Sequence, residues 1–238
     1  MKMERLDKIL SNLGFGSRTD VKRNINQGKV KVNGNLVKDP SLKVKLSDLV
    51  QVQEEILIRK DNYYFMMNKA PDCITSTDDP REKTVMEYLK GRHRSMSLFP
   101  VGRLDKETEG LLIFTTDGNF AHHYTSPKHL IEKEYYAEIQ GIVSENDILA
   151  FSEGVTLDDG YKTLPGKLEI LESGDISKVK VTIREGKFRQ IRRMFVTLEK
   201  EVTYLRREKM GAISLDPTLS VGTYRELTDL EESLLKRT

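Results

Sequence analysis

One carboxylate in a short polar stretch is the residue of this chain best placed to do chemistry. Asp105 lies in the polar segment that leads into the apolar run Leu111–Phe114. An acid at the edge of a buried strand is held firmly while it faces a cleft, where it can act as a nucleophile or a general base. Glu107 and Glu109 are too close to it in sequence to flank a substrate from the opposite side, so we do not expect the carboxylate pair of a glycoside hydrolase.

An aromatic residue lies in a second segment of interest. Tyr135 occurs in the string Lys133-Glu134-Tyr135, at the start of an apolar and aromatic stretch typical of a strand. A phenol ring offers a face on which an extruded base can stack. A strand tyrosine packed in the core fits the same pattern, and for Tyr136 we prefer that interpretation.

A run of cations occurs later in the chain, on a predicted helix. Phe188, Ile191, Phe195 and Leu198 share one helical stripe, which predicts an amphipathic helix. The cations of the string are Lys187, Arg189, Arg192 and Arg193, and the three arginines fall together on another face. Such a face can contact phosphates, or it can be solvated and paired with acids.

The histidines and the cysteine do not form a metal pattern. His93, His122, His123 and His129 have no matching acid or thiol at zinc spacing, and Cys73 is single. Glycine-rich phosphate-binding motifs of the Walker or dinucleotide kind are absent from the sequence. We therefore expect neither a metal nor a cofactor. A single cysteine also fits a reducing cytosol, so a cytoplasmic location is expected.

The elements that must position these residues begin with a compact N-terminal module. Apolar spacing predicts a helix over residues 6–13, and Ser17 with Asp20 predicts a capping box that opens a second helix. Asn33-Gly34 between alternating residues predicts a hairpin. We place the end of this module at residue 60, within a short polar join over residues 54–62.

Charge is distributed unevenly between the two parts of the chain. Residues 1–60 carry 13 basic and 7 acidic residues, whereas the whole chain has a net charge of only +2. This asymmetry is a cue for nucleic-acid contact, although a solvated basic surface would look the same. The cations that lie off the apolar stripes of the two predicted helices are Arg5, Lys8, Arg18, Lys22 and Arg23.

The pattern of residues 61–238 predicts a larger domain in which strands and helices alternate without a regular period. Candidate strands include residues 63–67, 111–115, 135–139 and 179–183, and capping boxes at Thr84, Ser144 and Thr228 predict helix starts. The expected class is α+β, with a mixed and largely antiparallel sheet. No apolar run is long enough for a membrane helix, so we expect no membrane partner.

Several of these strings resemble the motifs of one enzyme family. Gly102–Leu112 resembles the catalytic motif of the RsuA/RluB family of pseudouridine synthases, and Arg-Gln-Ile-Arg-Arg-Met at 189–194 and Leu205-Arg206-Arg207 match further motifs. Residues 5–8, 17–18 and 28–34 resemble the S4 RNA-binding domain. One departure is Asn68–Asp72, where the family has Asn-Lys-Pro-x-Gly and this chain has Asn-Lys-Ala-Pro-Asp.

The resemblance implies a role for each candidate residue. Asp105 attacks the uridine, Tyr135 stacks on it, and Arg192 pairs with Asp105 and keeps it ionised. Leu205 is expected near the uracil. The cations expected to contact RNA around the site are Arg103, Lys133, Lys187, Arg189 and Arg193, and those of the N-terminal module are Arg5, Lys8, Arg18, Lys22 and Arg23.

The substrate expected from the resemblance is ribosomal RNA. Three local strings, at residues 76–80, 116–118 and 125–129, favour the small-subunit members of the family, and hence 16S rRNA or a small-subunit assembly intermediate. Two alternatives stay open: a 23S rRNA synthase with the same chemistry, and a non-catalytic ribosome-binding assembly factor that would need no Asp105. A monomer is the expected state.

Overall fold

The computed structural model describes residues 3–235, which form two compact units. One unit consists of residues 3–63 together with Met86–Phe99, and the other of Tyr64–Val85 together with residues 100–235. The first unit therefore ends close to the expected boundary at residue 60, but it also contains a second stretch of the chain. The segment Met86–Phe99, which the sequence placed in the second domain, packs with the first unit.

The first unit consists of two short helices and small antiparallel sheets. Its apolar core includes five residues that are each at most 1% exposed: Leu6, Leu10, Val21, Ile25 and Val30. The elements are β1 (Met3–Arg5), α1 (Leu6–Asn12), α2 (Arg18–Asn26), β2 (Val30–Val32), β3 (Asn35–Leu36), β4 (Lys43–Lys45), β5 (Val50–Val52) and β6 (Glu55–Leu57).

The local signals predicted in this unit are present. Ser17 and Asp20 form the capping box at the start of α2, with the Asp20 amide donating to the Ser17 hydroxyl. Asn33 and Gly34 both have positive φ, 50° and 80°, as a tight hairpin turn between β2 and β3 requires.

The second unit is organised around a mixed sheet that has nine strands in the described part of the chain. Its main path runs β11-β12-β10-β13-β9-β7-β15, with β8 and β14 attached to β9 and β13. The strands are β7 (Tyr64–Lys69), β8 (Phe99–Val101), β9 (Glu109–Thr115), β10 (Lys133–Gln140), β11 (Lys167–Glu172), β12 (Ile176–Ile183), β13 (Glu201–Met210), β14 (Ile213–Ser214) and β15 (Tyr224–Glu226). Adjacent strands along this path are antiparallel except β9 and β13, which are parallel. The expected α+β class is confirmed.

Helices pack on this sheet and close its core. The helices of this unit are the α-helices α3 (Gly118–Thr125), α4 (Glu145–Glu153), α5 (Gln190–Thr197) and α6 (Asp229–Leu235) and the 3₁₀ helix Pro127–His129. The 3₁₀ helix Gly91–Ser95 belongs to the first unit, and the 3₁₀ helix Val85–Tyr88 lies where the chain passes from the second unit to the first. Tyr124 of α3 and Leu235 of α6 join one cluster with the buried β7 and β9 residues Met66, Leu111 and Ile113. On α4 and α5, the rings of Phe151 and Phe195 lie 5.1 Å apart.

The short helix expected after Thr84 is present as the 3₁₀ helix Val85–Tyr88. A second expected helix differs in the structure. The cationic helix begins at Gln190, because Arg189 adopts a left-handed conformation with φ 47°. Phe188 therefore lies outside the apolar stripe, and 69% of its surface is exposed.

No helix of residues 3–235 is long and apolar enough to cross a membrane.

Candidate active site

The Asp105 loop, residues 102–108, connects β8 to β9 at the edge of a pocket. Gly110, just after it, has φ +100°, and a Cβ there would lie 2.3 Å from the Arg207 carbonyl oxygen of the neighbouring strand β13. Only glycine permits this approach at such a φ. The motif glycine therefore allows the start of β9 to pair closely with β13.

A buried lysine holds the main chain of this loop. Lys69, the last residue of β7, is completely buried, and its Nζ donates to the carbonyl oxygens of Ala70 at 2.8 Å, Lys106 at 3.0 Å and Thr108 at 3.1 Å. Desolvation lowers the pKa of Lys69, and Asp105 is among the acids that oppose this shift. A buried ammonium with three acceptors anchors the loop on both sides of Glu107.

A threonine holds the residue before Asp105. The Thr75 hydroxyl donates to the Leu104 carbonyl oxygen at 2.8 Å and accepts from the Leu104 amide at 3.1 Å. Sequence reasoning identified neither Thr75 nor Lys69 as a site residue. The signal for Lys69 was its place in the Asn68–Asp72 string, where the loop sequence departs from the family but the lysine stands where expected.

The pocket beside this loop brings several predicted site residues together. Tyr135 of β10 pairs with Val181 of β12 and Arg207 of β13, and it is 8% exposed. The pocket is lined by Arg103, Leu104, Asp105, Thr108, Tyr135, Ile183, Gly186, Lys187, Phe188, Arg189, Gln190, Ile191 and Leu205. The pocket therefore unites Asp105 with Tyr135, Leu205 and three of the predicted cations.

The opposite wall is the segment Lys187–Arg189, which a buried carboxylate supports. Glu185 is 7% exposed and accepts from the Tyr161 hydroxyl at 2.7 Å, the Leu164 amide at 2.8 Å and the Gln190 side chain at 2.9 Å. The side-chain amide oxygen of Gln190 in turn accepts from the Lys187 main-chain amide at 2.9 Å. This network fixes the turn from which the three side chains of the wall project.

Burial and nearby charges compete at Asp105. Desolvation raises the pKa of Asp105 above its ordinary value of 3.8, and Glu107 adds to the rise. Arg189 and then Arg192 oppose it most strongly. Arg189 also lies 3.9 Å from the Glu107 carboxylate. Partial burial therefore favours the protonated form of Asp105, while the neighbouring arginines favour the ionised form.

Arg192 does not make the expected direct pair with Asp105. Within residues 3–235, no ion pair shorter than 4.0 Å joins them; the Arg192 guanidinium donates instead to the Val202 carbonyl oxygen at 2.7 Å. Its Nε is buried and has no hydrogen-bond partner in the described chain. Arg189 lies at the N-terminal cap of α5 and lines the pocket, whereas Arg192 lies within α5 and is not among the lining residues.

Two other predicted cations lie away from the pocket. Arg193 forms an ion pair with Asp158 and lies 2.7 Å from Asp159, so its charge is already compensated. Lys133 donates to the Ile131 carbonyl oxygen at 2.7 Å, and burial, helped by Arg207, lowers its pKa to about 8. Neither residue lines the pocket that contains Asp105.

The predicted cations of the first unit fall into two groups. Arg5 pairs with Asp7 through two hydrogen bonds, Lys8 lies 2.7 Å from Glu4, and Arg23 lies 3.8 Å from Asp20. These ion pairs reduce the charge that the three residues present to a partner. Arg18 and Lys22 are exposed and have no ion pair within 4.0 Å among the described residues.

The part of the chain that the structure describes contains no group of three or more His, Cys, Asp or Glu residues suited to a metal ion.

Comparisons with known proteins agree with this architecture. A model of the RNA pseudouridylate synthase family matches residues 63–197, and a model of the S4 domain matches residues 4–50. A solved structure described as a pseudouridylate synthase is similar, with a TM-score of 0.69 and 37% identity over 97% of this chain and 99% of its own.

Three relatives match along nearly their whole length. An uncharacterized RNA pseudouridine synthase of Bacillus subtilis, YtzG, is 41% identical over 97% of this chain and 98% of its own. Ribosomal small subunit pseudouridine synthase A of Haemophilus influenzae is 39% identical over 98% of this chain and 100% of its own. Ribosomal large subunit pseudouridine synthase B of Bacillus subtilis is 37% identical over 98% and 96%. The chain therefore belongs to the RsuA/RluB family of RNA pseudouridine synthases, and it is an isomerase with an N-terminal S4 RNA-binding domain.

Proposed function

We propose that this enzyme converts one uridine of 16S ribosomal RNA to pseudouridine, with Asp105 as the reacting carboxylate. The observation that carries the proposal is the pocket whose lining brings half-buried Asp105 together with Tyr135, Leu205, Lys187 and Arg189. An anionic nucleophile, an aromatic face and phosphate-binding cations are what this isomerisation needs in one place.

The reaction requires no outside group or electron. The bond between N1 of uracil and C1′ of ribose breaks, and a bond between C5 and C1′ forms. The proton on C5 is lost and N1 gains one, so substrate and product are isomers. Asp105 assists either as a nucleophile at C1′ or as a base at C2′; both roles need its ionised form.

The pocket supplies the remaining requirements of the step. A uridine must leave its helix, at a cost of a few kcal/mol, to reach Asp105. Stacking on an aromatic ring returns about 1–3 kcal/mol, and the Tyr135 ring lies against the pocket for this purpose. Phe188, which also lines the pocket, offers a second aromatic ring, and unlike Tyr135 it is exposed; it lies between Lys187 and Arg189 in sequence.

Arg189 takes the place that the sequence suggested for Arg192. It lines the pocket, and its charge opposes the rise in the pKa of Asp105 more than that of Arg192 does. We propose that Arg189 holds Asp105 ionised, while Arg192 adds a longer-range field from α5. Lys187 lies 4.2 Å from the centroid of the Tyr161 ring, which orients its ammonium at the pocket wall.

The choice of 16S rRNA rests on finer similarity. The Haemophilus influenzae relative carries the name of a small-subunit enzyme, and three local strings of this chain favour that group. The Bacillus subtilis relative named for the large subunit is 37% identical, so 23S rRNA is the second candidate.

Mapping pseudouridine in defined RNAs tests the proposal. The purified protein is incubated with 16S transcript, 23S transcript and partly assembled small subunits, and pseudouridine is located by chemical modification and primer extension. We expect a single site in 16S rRNA or in the particle. A site found only in 23S rRNA would overturn the 16S assignment, and no product with any RNA would overturn the proposed activity.

Asp105→Asn tests the role of the carboxylate. We expect no detectable product and nearly unchanged RNA binding, because the amide keeps the shape but is neither a nucleophile nor a base. Glu107→Gln is the matched control, since Glu107 is an exposed carboxylate of the same loop. Normal turnover by Asp105→Asn would show that the mechanism proposed here is wrong.

A further inference from the structure

The first unit contains a basic turn that comes from its second stretch of chain and not from residues 3–63. Residues 90–94 read Lys-Gly-Arg-His-Arg, and no acidic residue occurs between positions 88 and 99. This stretch lies in the segment Met86–Phe99, which packs with residues 3–63. Its centre is the 3₁₀ helix Gly91–Ser95, in which no residue is buried.

Backbone contacts attach this segment to the end of α1. Met96 forms an isolated antiparallel bridge with Leu13, and the Ser97 amide donates to the Asn12 carbonyl oxygen at 3.2 Å. The side chains of Met96 and Leu98 are buried. The turn is therefore part of the folded unit and not a solvated loop tip.

The turn packs against the connection between α1 and α2. Gly14 has φ +84°, and a Cβ there would lie 2.2 Å from the Arg92 carbonyl oxygen, so only glycine accommodates the contact. The Arg92 guanidinium lies 5.7 Å from the centroid of the Phe15 ring and 2.5 Å from the Glu55 carboxylate. These contacts place the basic turn beside the residues that lead into α2.

Of the cations near this contact, one has side-chain partners, and three are exposed without an ion pair to any residue that the structure describes. Arg92 is held by Phe15 and Glu55, which makes it a structural member of the turn. Arg94 is exposed and has no ion pair within 4.0 Å among residues 3–235. Arg18 and Lys22, on the first two turns of α2, are likewise exposed and unpaired in the described chain.

We propose that the turn at residues 90–94 is a phosphate-contacting element of the RNA-binding surface, continuous with Arg18 and Lys22. This rests on the proposed function, because the partner is the RNA substrate. Arg94 is its principal free charge. A phosphate contact adds affinity independent of base identity, and it increases the salt dependence of binding because it releases a counterion.

The test measures RNA binding by the full chain at several KCl concentrations. The probes are the 16S and 23S transcripts, and the variants are Arg94→Ala and Arg94→Glu. Lys38→Ala is the control, because Lys38 is an exposed cation of the same unit outside the turn and α2. We expect Arg94→Ala to weaken binding several-fold on both RNAs and to reduce the slope of log affinity against log salt by about one.

The charge reversal and the catalytic readout sharpen the test. Arg94→Glu should weaken binding more than Arg94→Ala and should raise KM for RNA more than it lowers kcat, whereas Lys38→Ala should keep the wild-type affinity and turnover. Affinity and salt slope unchanged in both variants would overturn the inference. Arg94→Gln is a further variant without charge, should the reversal prevent folding.

Failure of this inference and failure of the proposed function give different results. If the wild type makes no pseudouridine but the Arg94 variants lose RNA affinity, the proposed activity is wrong and the surface stands. If the wild type makes pseudouridine and the Arg94 variants bind like Lys38→Ala, only the surface is wrong.

Discussion

The Asp105 loop is held through its main chain, whereas the opposite wall of the pocket, Lys187–Arg189, is held through one side chain. Lys69 donates to main-chain oxygens on both sides of Glu107, and Thr75 bonds the main chain of Leu104. The facing wall depends on Glu185, whose two oxygens accept from three different donors. Asp105, the proposed reacting group, thus lies on the wall whose main chain is held by more than one side chain.

This difference matches what each wall has to do. A nucleophile must lie within a fraction of an ångström of the productive position, so redundant main-chain contacts suit it. Cations and an exposed ring that grip a flexible RNA tolerate more variation. We therefore expect damage to the Asp105 loop to affect turnover, and damage to the Glu185 network to affect binding.

Removal of the buried ammonium should have the larger effect. Lys69→Met keeps the length of the side chain but leaves three carbonyl oxygens, two of them in buried hydrogen bonds, without this donor, so we expect a loss of about 3 kcal/mol in the free energy of unfolding. Turnover at saturating RNA should fall as well, because the Asp105 loop is released. Urea denaturation and single-turnover kinetics measure the two effects.

Lys106→Met is the control for that change. Lys106 is an exposed residue of the same loop that lies 2.5 Å from the Glu82 carboxylate, and its main-chain oxygen is still present in the variant. We expect an effect below about 0.5 kcal/mol. Equal stabilities of Lys69→Met and Lys106→Met would refute the anchoring role of Lys69.

Weakening the facing wall should have an intermediate effect. Glu185→Gln removes the charge and one acceptor oxygen from a buried site with three donors, which should cost about 1–2 kcal/mol in stability. Because Lys187 and Arg189 lose their support, KM for RNA should rise more than kcat falls. Steady-state kinetics and thermal unfolding check this.

Glu132→Gln serves as the matched control, since Glu132 is an exposed carboxylate that pairs with Arg184 at 2.8 Å. It should leave KM close to the wild-type value. A selective fall in kcat for Glu185→Gln, with KM unchanged, would contradict the division of labour between the two walls.

The smallest expected effect is on the pH profile. Because burial raises the pKa of Asp105, kcat should fall on acidification at a higher pH than the ordinary value of 3.8 would give. Arg189→Gln removes the strongest opposing cation and should move this acid limb to still higher pH. Single-turnover rates across a pH series measure the limb.

The sign of the linked stability change is opposite to that of a salt-bridged acid. A raised folded-state pKa means that stability contributed by protonated Asp105 is present at low pH and lost as the pH rises through that pKa.

Arg193→Gln is the control for the kinetic effect of Arg189→Gln, since Arg193 pairs with Asp158 and Asp159 outside the pocket. A limb that moves to lower pH in Arg189→Gln would refute the proposed role of this arginine.

Local signals predicted much of this molecule, because their causes lie within a few residues. The capping box at Ser17 and Asp20, the hairpin turn at Asn33 and Gly34, and the strand that follows the Asp105 loop all depend on neighbours in sequence. The family motifs likewise identified Asp105 and Tyr135, which line the same pocket.

Features that depend on distant partners were not predictable in this way. The acceptors of Lys69 come from residues 70, 106 and 108, so its burial has no periodic signature. Helical spacing placed Phe188 on the core stripe, but the left-handed conformation of Arg189 ends that periodicity one residue later. Charge counts also treated Arg5 as a free cation, although Asp7 neutralises it.

The segment Met86–Phe99 has a consequence for how this protein can be divided. The chain leaves the first unit after Tyr63 and returns to it at Met86–Phe99. A fragment that ends at residue 63 would therefore lack part of that unit. A fragment that begins at residue 64 would keep Met96 and Ser97 but lose their partners Leu13 and Asn12. The unit that contains the S4 domain is therefore not encoded by one continuous segment, and a chimera that exchanges this unit must replace both stretches of sequence together.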